Sequence, residues 1–251
     1  MMTPLVSIVI PYFNGGEFVR ETVISAISQS YKNIEIILID DGSIEEDSIS
    51  IFDQLEHPKL RKFRTKNQGL PMARNTGISL ANGDFILPLD CDDLISNTYV
   101  ECAIEKFKLN ENLGIVYSHA CFFGAVNKYW ELPEYEKVNF LTSNCIFCSA
   151  LFKRSDWKEV GGYKSDMIYG MEDYDFWLSL VGKGREVLRL PEVHFFYRKH
   201  GNSMISSLSQ EKIHYSFNRI FQRHKKLYVE NLIGLIIKIN ELNGKLKAQS
   251  T

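Results

Sequence analysis

Two carboxylate clusters have the types and spacing to do chemistry. Asp40 and Asp41 precede Gly42-Ser43, and Asp90, Asp92 and Asp93 surround Cys91. Carboxylates gathered in one place repel and raise one another's pKa, and a cation among them removes the repulsion. Oxygen donors select Mg²⁺, Mn²⁺ or Ca²⁺ over soft metals. A Mg²⁺-type ion with few protein ligands keeps positions open for phosphate oxygens. The pattern therefore points to a metal–diphosphate complex. One acidic turn alone would read as a solvated strand end closed by Asx geometry.

The surrounding pattern says what positions these groups. The β-branched run 6–10 reads as a buried strand stopped by Pro11. Apolar residues recur at helical spacing over 17–30, 34–39 is a second strand, and 44–55 a weaker helix. A third strand at 60–64, a helix at 70–81 and a fourth strand at 85–89 follow. Strand–helix alternation of this kind predicts parallel pairing through right-handed crossovers. The first ~100 residues thus read as a Rossmann-type α/β half, whose ligands bind beyond the carboxyl ends of the strands. Residues 11–14, 40–43 and 90–93 all lie at such ends. Beyond them the spacing predicts a helix at 101–109, short strands at 114–119 and 150–152, and an irregular loop over 127–140. It also predicts helices at 174–181 and from 210 to 247.

Several chemistries are excluded at motif level. The turn after the first strand, Pro11-Tyr12-Phe13-Asn14-Gly15-Gly16, is no GxGxxG, and GxxxxGK[ST] and GxSxG are absent. The 251 residues, with 29 basic against 31 acidic and 45% apolar residues, suit one large or two small globular domains. A formal charge of −2 argues against a protein whose whole surface binds nucleic acid and leaves only a local patch open. Cysteines 91, 102, 121, 145 and 148 are an odd set without a zinc pattern; Cys145 and Cys148 read as half-buried thiols in a cytoplasmic-type compartment. Residues 1–7 show no signal-peptide pattern.

Further stretches carry a resemblance. They are Asn67-Gln68-Gly69 with Ala73-Arg74-Asn75, Gly83-Asp84 leading into the second acidic turn, Gly161-Gly162-Tyr163, Gly170-Met171-Glu172-Asp173-Tyr174-Asp175, and Tyr197-Arg198-Lys199-His200. Together with the run from Val6 and the turn Asp40-Asp41-Gly42-Ser43, this ordered set resembles family 2 glycosyltransferases of the GT-A fold. The resemblance implies one GT-A domain over 1–205 (nucleotide-binding half 1–105, acceptor-side half 106–205) and a helical tail over 206–251. It implies that Asp41 reads the uracil edge of UDP and that Pro11 lines the base pocket. A carboxylate suits the imide N–H that uracil presents. Asn67 and Arg74 match positions beside the nucleotide or its phosphates; local pairing on a helix face is the other reading of Arg74.

Asp90-Cys91-Asp92 matches the family's DxD element, Asp92 taking a divalent metal, Mn²⁺ or Mg²⁺, and Asp90 facing ribose or sugar. Asp93 could exchange roles with Asp92. His200 matches a histidine that completes the metal site; the alternative is a surface group in a basic loop. Asp173 matches the general base that an acceptor hydroxyl needs, and Glu172 would orient the acceptor. The same acids also suit a helix N-terminus. Trp130, Tyr129 and Tyr135 are candidates for a sugar-stacking wall, with core packing the alternative.

The implied activity is inverting transfer from a UDP-hexose or UDP-N-acetylhexosamine to a glycan or lipid-linked acceptor, as in bacterial surface polysaccharide synthesis. A non-catalytic nucleotide-sugar-binding module and a sugar nucleotidyltransferase are the rivals. In the tail, Arg219, Arg223, His224, Lys225 and Lys226 interleave with Phe217, Ile220, Phe221, Leu227 and Tyr228 as a basic amphipathic helix. Packing on the domain is favoured over peripheral contact with the inner face of a membrane. The stripe Leu232, Leu235, Ile236, Ile239, Leu242 and Leu246 leaves a homodimer contact open.

Overall fold

The computed structural model describes residues 3–200 and 209–249. Strands β1 (Val6–Tyr12), β2 (Ile34–Asp40), β3 (Leu60–Arg64) and β4 (Phe85–Pro88) pair in parallel in the order β3-β2-β1-β4. The helices α1 (Phe18–Ile27), α2 (Glu46–Gln54) and α3 (Leu70–Leu80) connect them. β1 is buried along its whole length, as its apolar run requires of a strand covered on both faces.

β5 (Leu94–Ile95), α4 (Tyr99–Leu109), β6 (Leu113–Gly124), β7 (Lys128–Trp130), α5 (Lys137–Phe140), β8 (Leu151–Lys153), α6 (Arg154–Val160), α7 (Glu172–Gly182) and β9 (Glu186–Lys199) follow. The sheet runs β3-β2-β1-β4-β8-β6-β9-β5, with β7 paired to β6. The fold is α/β as expected. Its parallel character ends at β4, because β8 pairs antiparallel to both β4 and β6 and β9 antiparallel to β5. The long β6–β9 pair is parallel.

Four local expectations change. β1 continues through Pro11 to Tyr12. Val9 and Tyr12 carbonyls turn to opposite neighbours, bonding Leu89 and Asp41, so Pro11 faces the β4 side, where pairing stops at Val9. The proline therefore removes no ladder bond. The 127–140 loop contains β7 and α5. α6 is additional. β9 is also additional, and it carries Pro191 where the β6 register shifts around His119.

Asn75 of α3 clamps α6 and the turn that follows it. Its Oδ1 accepts from the Trp157 indole at 2.9 Å and the Tyr163 amide at 3.0 Å, and its Nδ2 donates to the Tyr163 carbonyl at 2.8 Å. Gly162 makes this possible. Its φ is +63°, and a Cβ there would lie 2.6 Å from Asn75 Oδ1.

The tail packs on the domain. In α8 (Gln210–Glu230), Ser216, Ile220, His224 and Leu227 are buried, and the helix kinks at His224. His224 Nε2 meets buried Asp175 Oδ1 of α7 at 2.9 Å, and Arg223 joins the same oxygen at 2.7 Å. α9 (Leu232–Gln249) seats Leu235 and brings Gly234 against Val138 of α5. Leu232, Ile233, Ile236 and Ile237 face outward. Among the described residues no helix is long and apolar enough to cross a membrane.

Candidate active site

The turn after β4 divides its three acids between different tasks. Asp90 is half-buried and accepts from Arg74 Nη2 at 2.6 Å and from the Cys148 thiol at 3.2 Å. Asp92 points outward and meets His200 Nε2 at 2.7 Å. Burial raises the Asp92 carboxyl while the His200 hydrogen bond pulls it down. Asp93 points inward, 1% exposed, and accepts the Arg198 amide at 2.8 Å. Burial pushes its carboxyl well up, and Asp92 and Asp90 add to the rise. The expected exchange of Asp93 with Asp92 as metal ligand does not fit this placement, because the Asp93 side chain anchors β9. Cys91, expected on the nucleotide, is buried enough to raise its thiol well above the ordinary value, and its Sγ lies 2.8 Å from where a Cβ on Gly15 would be.

Arg74 does not pair locally on its helix face. It is 1% exposed, and its partners lie on other elements. Nη2 holds Asp90 and Nη1 donates to Glu172 Oε1, with the guanidinium over the Tyr163 ring at 5.7 Å. A buried guanidinium demands such partners, since an unpaired buried charge is strongly destabilising. Arg74 thereby ties the acidic turn to the start of α7.

Glu172 is consequently buried and engaged. Asp173, the next residue, is half-buried. Asn144 Nδ2 approaches its Oδ2 at 3.4 Å, and its Oδ1 accepts the Tyr174 amide at 2.7 Å. Burial and the neighbouring Glu172 charge push its carboxyl up to about 7, against the pull of Arg74. Met171, with φ +64°, and Gly170, with φ +93°, turn the chain sharply into α7 just before these acids.

At the β1–β2 end, Asp40 is a buried structural group. It accepts the Ser43 amide at 2.9 Å and pairs with Arg64 at 2.6 Å, so it leaves the expected acidic crevice. Asp41 accepts from Thr65 Oγ1, the Gln68 amide and the Gly69 amide at 2.8–3.1 Å. It thus holds the loop before α3, on which Asn67 is exposed. Pro11 is buried in β1 opposite Ile39.

The aromatic candidates do not form one wall. Trp130 stacks on Phe122 at 4.8 Å and meets Tyr197 edge-on at 5.5 Å. Tyr129 hydrogen-bonds the His119 ring, and Tyr135 packs on Phe140. The Tyr197 phenol is pushed up to about 12 by burial and then by the Asp93, Asp92 and Asp90 charges. Two site residues had no sequence signal as such. Cys148 belongs to a CxxC pair that suggests only thiols. Arg198 lies within a quoted stretch, and its Nε donates to the Asp92 carbonyl at 2.7 Å.

His200 and Asp92 fit one hard or borderline cation as an imidazole–carboxylate pair. Among the described residues no group of three or more His, Cys, Asp and Glu forms a metal cluster. The protein would supply few ligands, which leaves phosphate oxygens to complete the shell.

Comparison with known proteins places the geometry in a family. The family model described as "Glycosyl transferase family 2" matches residues 7–165. A Haemophilus influenzae protein named as an uncharacterized glycosyltransferase is 28% identical over 94% of this chain and 96% of its own length. The Escherichia coli chondroitin synthase is 27% identical over 94% of this chain, which spans only 34% of that protein. Among solved structures, S. aureus TarS 1–349 in complex with UDP-GlcNAc superposes with a TM-score of 0.69 at 14% identity, over 90% of this chain and 73% of that one. A mannosyltransferase of Pyrobaculum calidifontis, in complex with GDP-Man and Mn²⁺, gives 0.60 at 18% identity, over 79% and 57%. The chain is a glycosyltransferase and belongs to glycosyl transferase family 2.

Proposed function

We propose that the chain transfers a sugar from a UDP-linked donor to a hydroxyl of a glycan or lipid-linked acceptor by a single inverting displacement. The observation that carries this reading is Asp173: a half-buried carboxyl pushed up to about 7, one residue from the buried link Glu172–Arg74–Asp90. A base with a pKa near the working pH is the efficient acceptor of a hydroxyl proton. Asp173 would take that proton as the oxygen attacks the anomeric carbon, while the bond to the diphosphate breaks on the opposite side. Asp92 and His200 would hold a divalent cation, Mn²⁺ or Mg²⁺. When bound, it stabilises charge on the departing diphosphate. Arg74 would hold Asp90 toward the donor and Glu172 toward the acceptor.

The UDP-GlcNAc and UDP complexes of TarS support the choice of base, and the chondroitin and hyaluronan synthases among the relatives support a polysaccharide acceptor. The loop held by Asp41 would close the base end of the crevice beside Pro11 and Asn67. Calorimetric titration of UDP, GDP, CDP and dTDP, each with Mn²⁺, Mg²⁺ or EDTA, tests the reading. The expected result is UDP binding that chelation weakens at least about tenfold. Binding of no nucleotide under any condition would overturn it.

A further inference from the structure

Two cations stand on the half of the sheet away from the base end. Lys128 of β7 is paired with Phe122 of β6, and Phe122 with Tyr197 of β9; two residues along, Gly124 is paired with Lys199. Paired residues of neighbouring strands project to one face, and so do residues two apart on a strand. Lys128, Trp130, Phe122, Tyr197 and Lys199 therefore share a face. The side chains agree. Lys199 Nζ lies 4.7 Å from the Phe122 ring centre and 4.8 Å from that of Tyr197, and Lys128 Nζ lies 5.9 Å from Phe122. The acidic turn lies nearby: the amide of Arg198, between Tyr197 and Lys199, donates to Asp93 at 2.8 Å, and Trp130 meets Phe147, whose neighbour Cys148 donates to Asp90.

Among the described residues neither ammonium has a carboxylate at ion-pair distance. Among the described residues, the lysines with a carboxylate at ion-pair distance are Lys183, Lys226 and Lys238. The stretch 201–208 that follows Lys199 and His200 contains no Asp or Glu. Two like charges gathered on one ring repel, and an anion between them relieves the repulsion. The ring faces hold the cations by cation–π attraction, and an aromatic face packs against the apolar side of a sugar. Anion and sugar recognition thus meet at one place beside the base.

We propose that Lys128, Trp130, Tyr197 and Lys199 form an acceptor subsite for a glycan that carries a negative charge, a uronate carboxylate or a phosphodiester. The placement rests on Asp173 acting as the base, so that the acceptor lies on this side of Asp90. Lys128 and Lys199 then determine acceptor specificity: a neutral glycan would leave two ammonium groups unpaired beneath it.

Binding to the full chain tests the inference, with and without UDP and Mn²⁺. The probes are a chondroitin tetrasaccharide, its carboxyl-reduced form and a glycerol phosphate oligomer. The charged tetrasaccharide or the phosphate oligomer should bind at least about tenfold more tightly than the reduced form, and whichever leads identifies the anion. Lys128→Gln and Lys199→Gln should each weaken the charged probe several-fold and leave the reduced probe and UDP unchanged. Equal binding of charged and reduced tetrasaccharide, or no binding of either charged probe, would overturn the proposal. So would loss of UDP affinity in Lys199→Gln, which would give that lysine to the donor diphosphate. If the parent chain ignores UDP yet still discriminates by charge, the donor reading fails and this one stands.

Discussion

As the proposed base, Asp173 would act only when ionised. With its carboxyl raised to about 7, transfer should rise with pH up to about 7 and level off above it. Asp173→Asn should lower the rate by about 10²–10⁴, read as UDP release, while UDP still binds in calorimetry. The stability sign runs the other way. A carboxyl whose folded pKa lies above its unfolded value costs stability once it ionises, so stability falls as pH rises from about 4 to 7. Asp173→Asn should therefore melt no lower than the parent, separating lost chemistry from lost folding. Arg74→Met should cost about 3 kcal/mol by urea unfolding, the low end for breaking a buried pair, because Asp90 keeps some contact with water. Arg74→Lys should rescue little, since a point charge cannot bridge two carboxylates as a planar fork does. At this scale short motifs draw attention to the acids and to His200, and the structure sets His200 against Asp92. The task of Arg74 was not legible, because Glu172 lies 98 residues away. Nor was that of Asp93, since adjacent acids in one turn face opposite ways.

The elements of the first half were legible because each apolar period ends at a turn signal. β9 was not. Pro191 interrupts it, and half its residues are only partly buried, so its alternation is weak. What makes it a strand is its partner β6, which absorbs the proline at a register shift. The clamp between α3 and the turn before α7 was equally hidden, although Asn75 and Gly162 each sit in a quoted motif. Gly162→Ala should lower stability by about 1–3 kcal/mol in thermal melts, since it places a Cβ on Asn75 Oδ1 at a left-handed φ. The α8–α7 anchor was half visible. The basic helix was apparent, but Asp175 read only as a further acid at a helix start. Arg223→Met should leave Asp175 with His224 alone and lower the urea midpoint without changing the slope.

For the whole molecule, the β6–β9 pairing joins strands far apart in the chain, and β5 enters the sheet only through β9. Such long-range pairing makes folding slow. Refolding from urea should therefore regain α-helical signal before UDP release. The same order governs how the enzyme comes into being. Asp92 and His200 are separated by 108 residues. At about 5–20 residues per second, the ribosome needs roughly 5–20 s to make that span. Throughout this interval the growing chain carries its acidic turn without the histidine, the Arg198 support or the anchored α7. The proposed Asp92–His200 cation pair can therefore assemble only after residue 200 has been made.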